Sequence, residues 1–235
     1  MPKIHPKKQL VTLIFITGIL WILFIVGRPA WYHPWCAVQP TPCLPEGVNA
    51  FDRISLQFGS VFADFLSNII QNTVAVVLLA LPWLWLRGNR KQAVIAAIYV
   101  VLGATLNGDL LEFIHGLVQR PRPLVFKNPM EEIRPINYTS FWSGHTSFVA
   151  FATLSTHFWV KLFLSERKTL VRLTWGAYWV LTLSVACLRI LGGRHYPTDV
   201  LTGFMVGSGI AWSLLQWLRP NFMDAAQKNT QSESI

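Results

Sequence analysis

The sequence predicts an all-α integral membrane protein with six transmembrane helices, and three observations carry that expectation. Of its 235 residues, 52% are hydrophobic and only 13% charged, where ordinary soluble domains carry roughly 25% charge. Six apolar runs, at about 10–27, 66–86, 92–117, 145–164, 173–191 and 199–218, approach the roughly 20 residues a helix needs to cross the hydrocarbon core. If these runs alternate in direction, the basic stretches "PKIHPKK", "RGNRK" and "SERKTLVR" and the tail after Arg219 share one side. The positive-inside rule makes that side the cytoplasm.

The first run follows Lys3, Lys7 and Lys8 as a secretory signal would. Its apolar core, Leu10 to Gly27, exceeds the roughly 7 to 15 residues of a signal core, and "RPAWYH" offers no small-residue cleavage site, so a retained anchor is expected. Segments 28–65, 118–144 and 192–198 then fall on the non-cytoplasmic side. In the first of them Cys36 and Cys43 form either a short disulfide loop or two free thiols. Phe51, Ile54 and Phe58 recur there at helical spacing, as in a helix lying on the membrane surface or a short ordered loop helix. Cys187, inside the fifth run, reads as a small buried hydrophobe. Residues 1–222 are expected to form one membrane domain, and the polar stretch 223–235 a disordered cytoplasmic tail. A net charge of +9 raises the question of nucleic acid, but no long basic run is interleaved with aromatics, so that partner is set aside.

The chemistry-bearing residues cluster on the non-cytoplasmic side. Where the third run ends, "HGLVQRPRP" alternates Arg120 and Arg122 with prolines that stop the helix and hold the chain extended. Taken alone, such arginines more often contact lipid headgroups than a substrate. At "SFWSGHTSFVAF", Ser143 stands where an N-cap belongs and the amides from Gly144 onward are unpaired donors suited to an anion. His145, just inside that helix, can donate a proton to a leaving oxygen, the alternative being a capped helix with an interfacial histidine. In "LRILGGRHYPTD", Arg189 ends one helix, Gly192 and Gly193 permit a tight turn, and Pro197 suits the first turn of the next. His195 and Asp199 share a face if that helix begins by His195, and the carboxylate then fixes the imidazole tautomer; a purely structural pair is the alternative.

The three motifs converge on one side from separate helix ends, and together they describe a phosphoryl-transfer site. Arginines and helix amides neutralise phosphate, one histidine attacks phosphorus and the other protonates the departing oxygen. Apart from Glu131 and Glu132 these loops hold no acidic cluster of the kind a two-metal site needs, so the chemistry is expected to use neither metal nor cofactor. Asp109, Glu112 and His115 lie along one stripe inside the third run, where ionisable groups point to function, here a polar network backing the site. His157, about three turns below His145, reads as structural.

With those residues in view, the chain resembles the type 2 phosphatidic acid phosphatase (PAP2) superfamily, whose pattern is K-x6-R-P, P-S-G-H and S-R-x5-H-x3-D. Arg122-Pro123, Ser143-Gly144-His145 and Arg189, His195 and Asp199 match at the family's spacing, whereas His115, Trp142 and Leu188 stand where the pattern has Lys, Pro and Ser. The resemblance covers nearly the whole chain and implies a PAP2-type helical bundle. It further implies that His195 forms a phosphohistidine with Asp199 as its orienter, that His145 is the acid, and that Arg122, Arg189, Ser143 and Gly144 bind the phosphate. His115 and Arg120 are expected as further phosphate contacts, with Glu112 raising the charge of His115 and Arg194 beside the nucleophile. The expected function is removal of phosphate from a membrane lipid headgroup at the periplasmic face of a bacterial inner membrane, with both termini cytoplasmic. A lipid phosphotransferase sharing the intermediate, and a catalytically silent lipid-binding or transport protein, are the alternatives.

Overall fold

The computed structural model describes residues 44–85, 90–127 and 134–232 and, before them, 12–13, 15–20, 22–24, 26 and 32; for 79, 81–85, 90–95 and 218–232 it describes the backbone alone. The Cys36–Cys43 loop, Glu131, Glu132 and much of the 10–27 run lie outside the described residues. Five long helices follow in order: α1 Val61–Trp85, α2 Arg90–Val118, α3 Gly144–Phe163, α4 Lys168–Leu191 and α5 Pro197–Ser232. All described regular structure is helical.

Helix ends explain the geometry. The Ser60 hydroxyl accepts from the Ala63 amide at 3.2 Å and caps α1, so this helix begins at Val61, five residues before the apolar run that hydropathy marks. Ser143 caps α3 by accepting from the Thr146 amide. α4 stops at Gly192, and Gly193 follows with φ of 65° in a turn where a Cβ would fall 2.7 Å from the Phe58 carbonyl oxygen. Pro197 opens α5. The starts of α1, α3 and α5 and the ends of α2 and α4 therefore gather at one end of the bundle, with the three motifs among them. The backbone of 223–232, expected to be disordered, continues α5 to Ser232, in keeping with the helix-forming Ala225, Ala226, Gln227 and Lys228.

Four helical stretches among the described residues are long and apolar enough to cross a membrane: Val61–Leu78, Ala96–Phe126, Lys168–Leu191 and Pro197–Trp217. α3 is not one of them, because Thr146, Ser147, Thr153, Ser155 and His157 lower its hydropathy. It sits instead in the bundle interior, packed against α1, α2, α4 and α5, where neighbouring helices and not lipid surround it. Outward-facing Leu173, Val180, Leu183, Leu201 and Met205 form the lipid-side surface. Cys187 also lies on this exposed face, not in the core. In the 3-10 turn Asp52–Gln57 the polarity is inverted, with Asp52 and Ser55 buried while Phe51 and Ile54 are exposed, as a segment resting on a membrane surface requires.

α3 and α5 approach through small residues. A Cβ on Gly203 would lie 2.6 Å from the Ser143 carbonyl oxygen, and one on Gly207 only 2.0 Å from that of Ser147. This G-x-x-x-G spacing lets membrane helices pack backbone to backbone. Hydrogen bonds tie both of these helices to α2: Ser147 Oγ of α3 donates to Asn107 Oδ1 at 2.6 Å, and Tyr99 Oη of α2 donates to the Ala211 carbonyl of α5 at 2.9 Å. His157 Nδ1 and Thr174 Oγ1, 3.1 Å apart, join α3 to α4. Replacing Gly207 with Ala is expected to force α3 and α5 apart and to cost about 1–3 kcal/mol of stability, measured as a lower melting temperature in detergent; an unchanged value would contradict the close approach.

Candidate active site

His195 lies in the turn between α4 and α5 and is 1% exposed. Its Nδ1 is 2.7 Å from the Ser140 carbonyl, which can only accept, so Nδ1 carries the proton and Nε2 the lone pair. Asp199 Oδ2 is 3.7 Å from Nδ1 and so does not hold the ring directly. The reason is local: α5 begins at Pro197, leaving His195 outside the helix that was expected to place both residues on one face. Asp199 instead reaches the ring through Ser140, whose hydroxyl donates to Oδ2 at 2.5 Å while its carbonyl accepts from the imidazole. Burial, and then the charges of Arg189 and Arg122, push the His195 pKa well below the ordinary 6.5, with the Ser140 carbonyl opposing them. The ring is therefore neutral at pH 7, with its lone pair on Nε2.

Two buried arginines carry donors that are not satisfied. Arg122 gives Nη2 to Thr139 Oγ1 at 3.2 Å, and its Nε is buried without a partner. Arg189 gives Nη1 to Asp64 Oδ1 at 2.5 Å and to Ser67 Oγ at 3.3 Å, and its Nε is likewise buried and unpaired. An unpaired buried guanidinium N–H is costly, and a pair of them beside a neutral histidine is what an anion would relieve. Arg194 Nη2 lies 2.9 Å from Asp64 Oδ2.

Arg120 is placed otherwise than the sequence suggested. Its Nη1 donates to Asp199 Oδ1 at 2.6 Å and to Thr198 Oγ1 at 2.9 Å, its Nη2 to Asp52 Oδ2 at 2.7 Å, and its guanidinium lies 3.8 Å over the Tyr196 ring. Asp199, Thr198 and Asp52 thus take up both Nη1 donors and one Nη2 donor of Arg120. Burial alone would raise the Asp52 carboxyl, but hydrogen bonds from Arg120, Thr198 and Asn49 outweigh it and hold its pKa below 3.8. Asp52 also accepts from the Thr198 amide at 2.9 Å, capping α5 from a distant segment.

In the second motif, the Ser143 amide donates to the Asp199 carbonyl at 3.1 Å and its hydroxyl accepts from the Thr146 hydroxyl at 3.0 Å. A Cβ on Gly144 would fall 2.4 Å from Leu111 Cδ2, so Leu111 packs directly over this glycine. His145 Nε2 donates to Asn68 Oδ1 at 2.6 Å. His115 is 5% exposed and its Nε2–H donates to the Trp142 carbonyl at 3.1 Å, which fixes the segment before Ser143. Trp142 is itself buried, at 5% exposure. Asp109, on the same helix as His115, is buried with Oδ2 unpaired.

Sequence reasoning missed Asp52, Asp64, Asn68 and Ser140. Asp64 and Asn68 did leave a signal, two polar side chains four apart in "VFADFLSNIIQN", but Asp64 had been assigned to a loop. Among the described residues, no group of three or more His, Cys, Asp or Glu side chains is placed to hold a metal ion.

Comparison with known proteins bears on the fold and the family. No curated protein matches the sequence. The structure is similar to a solved one described as the first transmembrane PAP2 type phosphatidylglycerolphosphate phosphatase from Bacillus subtilis, with a TM-score of 0.55 at 16% identity over 87% of this chain and 96% of that one. Identity that low speaks to fold alone, that of a multi-pass helical membrane protein. The family model of the PAP2 superfamily matches residues 96–223, more than half of the chain and all three motifs. The protein therefore belongs to the PAP2 superfamily of membrane phosphatases.

Proposed function

We propose that the protein removes a terminal phosphate from a membrane lipid through a phosphohistidine on His195, without a metal. The observation that carries the reading is the neutral, buried His195, with its Nδ1–H fixed on Ser140, beside two buried arginines that each retain an unpaired Nε. Arg122 and Arg189 hold the phosphate oxygens. The Nε2 lone pair attacks phosphorus, the ester P–O bond breaks, and His145, doubly protonated while the bound phosphate offsets the charges of Arg122 and Arg189, gives its Nδ1 proton to the departing alkoxide. Water then enters, His145 takes its proton, the new P–O bond displaces Nε2, and inorganic phosphate leaves. Asp199, acting through Ser140, stabilises the positive charge that builds on the ring.

The lipid substrate belongs to the class of phosphatidate, phosphatidylglycerol phosphate, undecaprenyl pyrophosphate or lipid A phosphates, and it meets the site from the bilayer. The basic loops at the opposite end of the bundle, with Arg167, Lys168 and Arg172, support a cytoplasmic position for that end and a periplasmic one for the site. Both termini are then cytoplasmic. A lipid phosphotransferase would use the same intermediate with an alcohol in place of water.

Purified protein in detergent with EDTA is expected to release inorganic phosphate from at least one of those four lipid classes, and His195→Ala from none. Equal release by the variant would remove His195 from the reaction, while transfer to an added lipid alcohol without release into water would favour the transferase. The lowered His195 pKa adds a pH expectation. Protonation of Nε2 abolishes attack, so the acid limb of kcat/KM lies below pH 6.5; a limb above that value would contradict the assignment.

A further inference from the structure

We propose that the first turns of α1 form a positioning edge of the phosphoryl site, in which Asp64 aims the Arg189 guanidinium and Asn68 aims the His145 imidazole. The proposal rests on the phosphatase reading above. Neither residue falls within 96–223, the part of the chain that the family model matches.

Asp64 and Asn68 are four apart on α1 and so lie one above the other on one face. Asp64 divides its oxygens between two arginines, Oδ1 to Arg189 Nη1 at 2.5 Å and Oδ2 to Arg194 Nη2 at 2.9 Å. Ser67 Oγ accepts from the same Nη1 at 3.3 Å. Nη1 is thereby committed to α1, which turns the unpaired Nε edge of Arg189 toward a phosphate. The contact is stiff. The Ser60 amide donates to the Leu191 carbonyl at 2.9 Å, and a Cβ on Gly192 would stand 3.3 Å from the Asp64 amide nitrogen, so the start of α1 and the end of α4 are locked together.

Asn68 does for the acid what Ser140 does for the nucleophile. Its amide oxygen can only accept, so the 2.6 Å contact keeps a proton on His145 Nε2 and leaves Nδ1 as the atom that exchanges a proton with the leaving oxygen. The charged groups around His145 are Arg189 from α4, Arg194 from the turn before α5 and Arg122 from the segment after α2, with neutral His195 opposite. Asp64, the carboxylate on this edge, is tied to two of those arginines.

The test measures kcat, KM and pH profiles of the purified full chain on whichever panel lipid it hydrolyses fastest. Asn68→Ala is expected to lower kcat about tenfold or more with KM within about twofold, since small misplacements of a catalytic group are expensive. Asn68→Asp puts a carboxylate on the imidazolium and is expected to move the alkaline limb of kcat up by about one pH unit, a shift that a merely structural asparagine would not give. Asp64→Asn is expected to raise KM about tenfold more than it lowers kcat. An unmoved alkaline limb, or a parental kcat in Asn68→Ala, overturns the Asn68 assignment; a lower KM in Asp64→Asn overturns the Asp64 assignment by making it a competing counter-ion. If Asn68→Ala does not fold, the Asn68→Asp profile decides alone. No release by the parent from any lipid overturns the phosphatase reading itself.

Discussion

The carboxylate of Asp199 is fully buried and takes hydrogen bonds from segments that are far apart in the chain. Arg120 donates to it from the first motif, Ser140 from just before the second, and the Tyr196 amide from the third. The backbone carbonyl of the same residue receives the Ser143 amide. One residue thus holds all three motifs in register, and Asp52 extends the hold to a fourth segment by sharing Arg120 and capping α5. Removing one partner from a buried charge pair costs about 3–5 kcal/mol, so the site end of the bundle is a set of mutually dependent contacts. That dependence explains why His195 can sit in a turn and not on a helix: the network around it supplies the rigidity that a helix would otherwise give.

Arg120, Arg122 and Arg189 look alike in the sequence and are held differently in the fold. Arg120 is surrounded by acceptors and serves the scaffold. Arg122 and Arg189 are each anchored by one edge and leave Nε buried without a partner. Which arginine faces a substrate is decided by how many acceptors it already has, and those acceptors come from distant positions. A serine hydroxyl or asparagine amide in the right place can set the direction of a charged group more effectively than another charge, because it orients without neutralising.

Much of the architecture was legible because hydropathy and proline or glycine punctuation are local. The ends of α2, α3 and α4 fall within a few residues of the apolar runs, and the clustering of the motifs at one end follows from helix parity alone. What was not legible depended on pairing across the chain. Asp64 reaches Arg189 over 125 positions and His145 reaches Asn68 over 77, and nothing in either segment announces the other. Expecting α1 to begin at 66 hid Asp64, since a cap at Ser60 extends a helix past the point where its apolar run starts. Burial was also misjudged where a helix face was unknown, since Cys187 turned outward.

Two of the three departures from the family pattern touch each other. The family lysine would place an ammonium at position 115; here an imidazole stands there and gives its Nε2–H to the carbonyl of Trp142, which occupies the family's proline position. Proline stiffens a loop by fixing its own backbone, and a buried hydrogen bond to the same residue achieves a similar end from outside. His115 therefore takes over a loop-holding duty, and the missing cation has to come from elsewhere. Arg194 is available for it, since it stands beside Arg189 and shares the Asp64 carboxylate with it. With His195 neutral, the guanidinium charges of Arg120, Arg122, Arg189 and Arg194 outnumber the carboxylates of Asp52, Asp64 and Asp199 by one. A phosphate monoester carries about −1.5 to −2 near pH 7, and the His145 imidazolium of the proposed reaction adds the second positive charge that suits it even without the lysine. On this view the His115 and Trp142 departures are one structural change and not two losses, and the site reaches charge complementarity by a different distribution of the same groups.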